Sequence, residues 1–291
     1  MNENPLPSPE SDPQEPERRP GRAAVILIIL AILIAGVGVR VLLHRPILGG
    51  MGGDMACDIT ETFEDVSIQG ISCDVSFSVG GGDTCVVEYR GPSKMVCTAE
   101  VKHGTLVIEE KLARRLSILN LFGLRDSKLT VFLPAKQYDE LTAETVSGDV
   151  DLPVGDSFRA LKVATVSGEV SLSGAAGGGD VTVETVSGDV EIRDADVRRL
   201  QVGTTSGEQV VKGVVAEDWA ELNSVSGNIE MTASDADSLE ISTISGDVYT
   251  LLNTVKEYAT STTSGEVSVA QNVPGAGRCS ISTVSGDIRC E

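Results

Sequence analysis

Apolar residues in the second half of the chain recur at every other position in short bursts, and the bursts themselves recur. Leu141, Leu161, Val181, Leu200, Ala220, Leu239, Tyr258 and Cys279 stand six places before a serine. Ala143, Val163, Val183, Val202, Leu222, Ile241, Thr260 and Ile281 stand four before it. Two before it comes a hydroxyl residue, Thr145 through Thr283, with Ser224 in the series. Beyond the serine and its glycine the alternation resumes in opposite phase at Val150, Val170, Val190, Ile229, Val248, Val267 and Ile288. Two places later come Leu152, Leu172, Ile192, Val211, Met231 and Val269. Period two marks a strand with one buried face, so each unit predicts two short strands joined at a Ser-Gly bend.

The marker Thr-Val-Ser-Gly-Asp-Val, centred on Ser147, Ser167, Ser187, Ser206, Ser226, Ser245, Ser264 and Ser285, repeats at spacings of 19 to 21 residues. No unit of that size can bury its apolar face alone, so the copies must stack. The prediction is an all-β solenoid over 135–291, with two-strand rungs at roughly 4.8 Å and a rod of about 38 Å for eight rungs. Cys279 and Cys290 then face each other inside the terminal rung and form a candidate disulfide. Gln209 stands where the pattern places valine, which predicts a one-residue shift in that rung.

Residues 58–134 read as irregular β structure capping the solenoid, with β-rich runs separated by Gly or Pro turns. Within them, Lys111–Asp126 combines Leu112, Leu116, Ile118, Leu119 and Leu121 with Arg114, Arg115 and Arg125, compatible with a short helix or covering loop. Further upstream, Ala23 to Val39 is an unbroken run of 17 apolar or glycine residues, reaching Leu43 if Arg40 snorkels. Residues 23–43 are therefore expected to be an uncleaved transmembrane helix, because the apolar run exceeds that of a signal peptide and a long acidic tail precedes it. Residues 1–22 form a Pro-rich disordered tail and 44–57 a Gly-rich linker. Arg18, Arg19 and Arg22 before the span favour an inside N-terminus and an extracytoplasmic body.

The net charge is −20, and of 23 basic and 43 acidic residues five of each lie in residues 1–45, so the excess falls wholly beyond the span. Such a body repels phosphate backbones, which argues against nucleic-acid partners. The acidic residues include a column directly after the marker glycine: Asp149, Glu169, Asp189, Glu208, Asp247, Glu266 and Asp287, interrupted by Asn228. Stacked carboxylates about 5 Å apart either splay into water or recruit a cation such as calcium. Free interchange of Asp, Glu and Asn favours splaying. The stacked hydroxyls are expected to satisfy one another and the backbone at the bend.

Catalytic equipment is missing from this inventory. The histidines are His44, beside the span, and His103, so the serines lack a base. The cysteines Cys57, Cys73, Cys85, Cys97, Cys279 and Cys290 lack the paired spacing of a zinc site. No phosphate-binding loop or dinucleotide fingerprint occurs, and with 3% aromatic residues a sugar-stacking cleft has little to build on. No enzyme and no catalytic or cofactor-binding residues are predicted.

With its repeated marker and the strand ending Val131-Phe132-Leu133-Pro134, the region 65–290 resembles a bacterial β-strand-repeat family described as "putative adhesins" of unknown function. The resemblance implies a solenoid tethered to the cell membrane, serving as an adhesin or as an interaction or scaffold module of the envelope. It carries over no catalytic residues. Two other functions fit the chemistry of the repeats: a calcium-responsive surface domain using the acidic column, and a polymerising, membrane-associated β-helix scaffold. The partner would be a protein or another envelope component.

Overall fold

The structure is a computed structural model that describes residues 53–291 other than 81, 113–126, 154–156, 175–177 and 270. The expected tail and span (1–43) lie outside the described residues, as does most of the basic, leucine-rich stretch after Lys111. Among the described residues no helix is long and apolar enough to cross a membrane.

The alternating segments are all strands. Upstream of the marked repeats run β1 (Met55–Ile59), β2 (Asp65–Gln69), β3 (Cys73–Val79), β4 (Cys85–Arg90), β5 (Met95–Lys102), β6 (Thr105–Leu112) and β7 (Ser127–Leu133). The repeats supply β8 (Tyr138–Thr145) and β9 (Val150–Pro153), β10 (Phe158–Thr165) and β11 (Val170–Ser173), then β12 (Asp180–Thr185) and β13 (Val190–Arg193). They continue with β14 (Asp196–Thr204), β15 (Gln209–Lys212), β16 (Val215–Ser224), β17 (Ile229–Ser242), β18 (Val248–Leu252), β19 (Lys256–Ser261), β20 (Val267–Val269), β21 (Gly277–Ser282) and β22 (Ile288–Cys290). Each rung places one strand in each of two parallel-stranded walls, and like positions of successive repeats pair in register, as in Leu141, Leu161, Val181 and Leu200. The inward columns form one continuous core, so the expected β-solenoid is the observed fold. At the return corner Asp194, Gly213 and Ala233 all take left-handed φ (51°, 67° and 49°), which turns three successive rungs alike.

The bend itself is set by backbone contact. A Cβ built on Gly168 would lie 1.9 Å from the carbonyl oxygen of Gly148, and one on Gly188 would lie 1.8 Å from that of Gly168. Glycine is required here because the rungs touch backbone to backbone. Next to it, Thr165 and Thr185 point inward and their Oγ1 atoms each accept the amide of the glycine three residues on, at 3.0 Å. Thr145 Oγ1 also donates to Thr165 Oγ1 at 3.1 Å. The hydroxyl column therefore satisfies itself and the bend. One earlier rung, β2 with β3, reverses this arrangement. Gly70 takes the threonine position and Cys73 the glycine position, with the Cys73 sulfur filling the space that a Gly70 Cβ would enter at 2.6 Å. Ile71-Ser72-Cys73-Asp74-Val75 is thus a further copy of the marker.

Two expectations are corrected. No register shift occurs at Gln209, which pairs directly with Val190 and Ile229. It is buried, and its amide donates to the Asn223 carbonyl at 2.6 Å, so a polar side chain is tolerated at a core position. Nor is the rung of Cys279 and Cys290 terminal. β21 pairs with β17 on one side and β19 on the other, and β22 lies between β18 and β20. The eighth marker copy is intercalated between the sixth and seventh. Lys256, buried on β19, fastens this arrangement. Its Nζ reaches past Gly277, which has no side chain to block it, to the Ala236 carbonyl and the Asp235 carboxylate, both at 2.6 Å.

The opposite end is ordered by the same device and then closed. β2 and β3 lie between the marked repeats and the outer rung of β6 and β7. Antiparallel β5 covers β6, β4 covers β7, and β1 adds to β4. Beneath this cap the Glu110 carboxylate is buried. It accepts the amides of Ile71 and Ser72 at 2.8 Å, the Tyr89 hydroxyl at 2.7 Å and the Ser127 hydroxyl, so four donors satisfy one buried carboxyl group.

Gly188→Ala is expected to lower stability by about 3 kcal/mol or more because the backbone contact cannot yield, whereas Gly203→Ala, with nothing within 4 Å of its Cβ position, should stay within about 0.5 kcal/mol in urea denaturation. Lys256→Met, which strands the Asp235 carboxylate, should cost about 3 kcal/mol. In hydrogen exchange the loss of protection should be concentrated in β19 to β22; uniform loss along the rod would refute the fastening role.

Candidate functional site

The acidic column is the feature that the sequence singled out for chemistry, and the structure assembles it. The residues after each marker glycine stack on the outer surface beside the bend, in the spatial order Asp149, Glu169, Asp189, Glu208, Asn228, Asp247, Asp287, Glu266, with Asp74 below them. Their short members do a specific job. Asp74 Oδ1 accepts the Asp149 amide at 3.1 Å, Asp149 Oδ1 the Glu169 amide at 2.9 Å, and Asp189 Oδ1 the Glu208 amide at 2.8 Å. Asn228, Asp247 and Asp287 likewise accept the amides of Asp247, Asp287 and Glu266 at 2.9, 2.8 and 2.7 Å. An acceptor one carbon from Cα spans the gap between rungs; glutamate, a methylene longer, stands where no such bond forms. Asn228 serves as well as Asp because the bond needs an oxygen, not a charge. The column is a series of inter-rung backbone caps that also presents its remaining carboxylate oxygens to solvent.

No group of three or more His, Cys, Asp or Glu side chains converges on a metal-binding geometry among the described residues. The marker serines are also engaged in structure: the hydroxyls of Ser147, Ser167 and Ser187 donate to the carbonyls of Ile71, Val146 and Val166 at 3.2 to 3.3 Å. His103 sits in the β5–β6 turn with φ of 52°.

The six thiols are free, and all but Cys57 are buried. Cys279 and Cys290 occupy inward positions of one rung, as the spacing predicted. Burial and then the neighbouring Cys290 push the Cys279 thiol up to about 12, and burial also raises Cys290. Under the opposite cap, burial and the Glu110 carboxylate raise Cys73 and bring Cys97 to about 12. Thiols held this far above neutrality are poor nucleophiles.

A family model for Toastrack DUF4097 matches residues 63–291, from just before β2 to the last residue. The chain belongs to the Toastrack DUF4097 family. No curated protein matches it. Among solved structures, the Toastrack chain is similar to a "putative lipid binding protein" from Parabacteroides distasonis, at 20% identity and a TM-score of 0.54, over 83% of this chain and 98% of the other. It is also similar to a "putative adhesin" from Bacteroides fragilis, at 14% identity and a TM-score of 0.52, over 82% and 97%. At these identities the likeness establishes a shared fold.

Asp189→Ala is expected to cost about 1 kcal/mol through the lost cap, and Asp189→Asn close to none. Millimolar calcium and chelator should give the same melting temperature for the full chain, since a ligand that binds the folded state would raise it. Equal effects of the two substitutions, or a calcium-dependent rise, would contradict the capping role.

Proposed function

We propose that this Toastrack chain is a non-enzymatic interaction module, held on the outer face of the bacterial cell membrane by residues 23–43 and presenting its solenoid to proteins or other components of the envelope. The observation that carries the reading is the engagement of every repeated polar column in holding the rungs together. Threonine completes the bend, serine bonds the rung before it, and aspartate caps the rung after it. What remains for function is an extended outer surface, a geometry suited to binding and not to concentrating reactive groups. The names of the two relatives, an adhesin and a lipid-binding protein, are in keeping with a binding role. The acidic excess supports contact with basic partners and disfavours lying flat on anionic lipid.

The capped end supports the same reading over a polymerising scaffold. Head-to-tail stacking needs two open ends, and β4 and β5 close one of them. In an oxidising compartment Cys279 and Cys290, both buried and on adjoining strands of one repeat, would form a disulfide.

The test is protease shaving of intact cells carrying a tag near Asp287, with a cytoplasmic protein monitored alongside and alkylation of the recovered chain with and without reductant. Digestion of the tag in intact or wall-stripped cells, with one thiol pair protected until reduction, is the expected result. Protection of the tag until the membrane is opened would put the body in the cytosol and overturn the proposal.

A further inference from the structure

One repeated side chain takes no part in stacking, bending or capping: that of the residue directly before each marker serine. It faces outward, as the residue two before it on the strand does, yet it is apolar in all copies but Thr205 and Thr263. Val146, Val166 and Val186 stand one above another, their register held by the Ser167 and Ser187 amides bonding the Val146 and Val166 carbonyls at 3.0 Å. The line continues through Thr205, Val225 and Ile244 to Val284, with Ile244 and Val284 36% and 50% exposed. Seven stacked positions span about 29 Å at the rung spacing.

This strip is bordered by acid on both sides. Glu184 lies on the wall two residues before Val186, and the capping column with Glu169 and Asp189 lies beyond the serines. Burial pushes the Glu184 carboxyl up.

We propose that the valine line is a docking strip for a basic amphipathic helix, whose apolar side lies along Val146, Val166 and Val186 and whose lysines or arginines meet the flanking carboxylates. Along this strip the backbone offers no alternative mode. The amides of Ser187, Gly188 and Glu169 are already bonded within the solenoid, so a partner cannot add as a strand and must be held by side chains. A helix rises 5.4 Å per turn against roughly 4.8 Å per rung, so residues three or four apart meet successive valines over several rungs. A second copy or an anionic membrane would bring like charge against the strip. The inference rests on the interaction reading above and names the chemistry of the partner.

The probe is a labelled synthetic peptide of about 18 leucines and lysines at helical spacing, long enough to hold a helix. Its binding is followed by fluorescence anisotropy with the full chain in zwitterionic nanodiscs, with empty nanodiscs subtracted. Saturable binding is expected, weakened about tenfold by Val146→Thr, Val166→Thr and Val186→Thr together. Thr205 shows that this column accepts threonine without loss of the rung. Glu184→Gln should weaken binding about threefold without lowering the melting temperature. Unchanged affinity in the triple variant, equal binding of a peptide with glutamate in place of lysine, or no saturable signal above empty discs would each overturn the strip. The shaving experiment decides the surface reading separately, so the two can fail independently.

Discussion

The contact on which the structure depends is the approach of one backbone to the next at the Ser-Gly bend. With a glycine carbonyl 1.8 to 2.2 Å from where the neighbouring glycine would carry its Cβ, the rungs stack at β-sheet spacing around a corner as well as along the walls. The remaining marker residues follow from that proximity. Threonine can bond the bend from inside because the bend is narrow, and aspartate can reach the next amide from outside because the rungs are close. The hydrophobic columns supply the bulk of the stabilisation, but the bend determines that they are aligned. Where β2 and β3 exchange the roles of glycine and side chain, the contact survives because Gly70 is empty where Cys73 is full.

Much of this was legible in the residues. The alternation of Leu141, Ala143 and Thr145 against Val150 and Leu152 identified the inward face of each strand, and the even spacing of the markers required stacking. The rung of β2 and β3 escaped notice because cysteine replaces its marker glycine and a long excursion separates it from Ser147. The intercalation near Lys256 could not be read at all. Every rung presents the same inward and outward pattern, so hydrophobic periodicity is satisfied equally well by any neighbour. Only the pairing of a buried lysine with a glycine one rung away distinguishes the true order. Gln209 misled because a polar residue in an apolar column suggests a slip, whereas the Asn223 carbonyl receives it in place.

The candidate site was legible as a column but not as a set of bonds. Alternation between Asp, Glu and Asn argued against a rigid cation cage, and side-chain length explains it: the short residues cap and the long ones do not. The valine before most marker serines was in plain view in the marker itself. Its outward direction follows from the same period-two rule that placed Thr145 inside, and the two together separate what the fold needs from what it leaves on the surface.

The intercalated rung also bears on how the molecule is made. A chain synthesised from its N-terminus produces β19 and β20 before β21 and β22, yet the later pair lies beneath the earlier one. The seventh marker copy therefore has no final seat until the eighth has arrived, and zipper-like growth along the rod must pause at β18. The last step of assembly is then the closing of a gap within the stack.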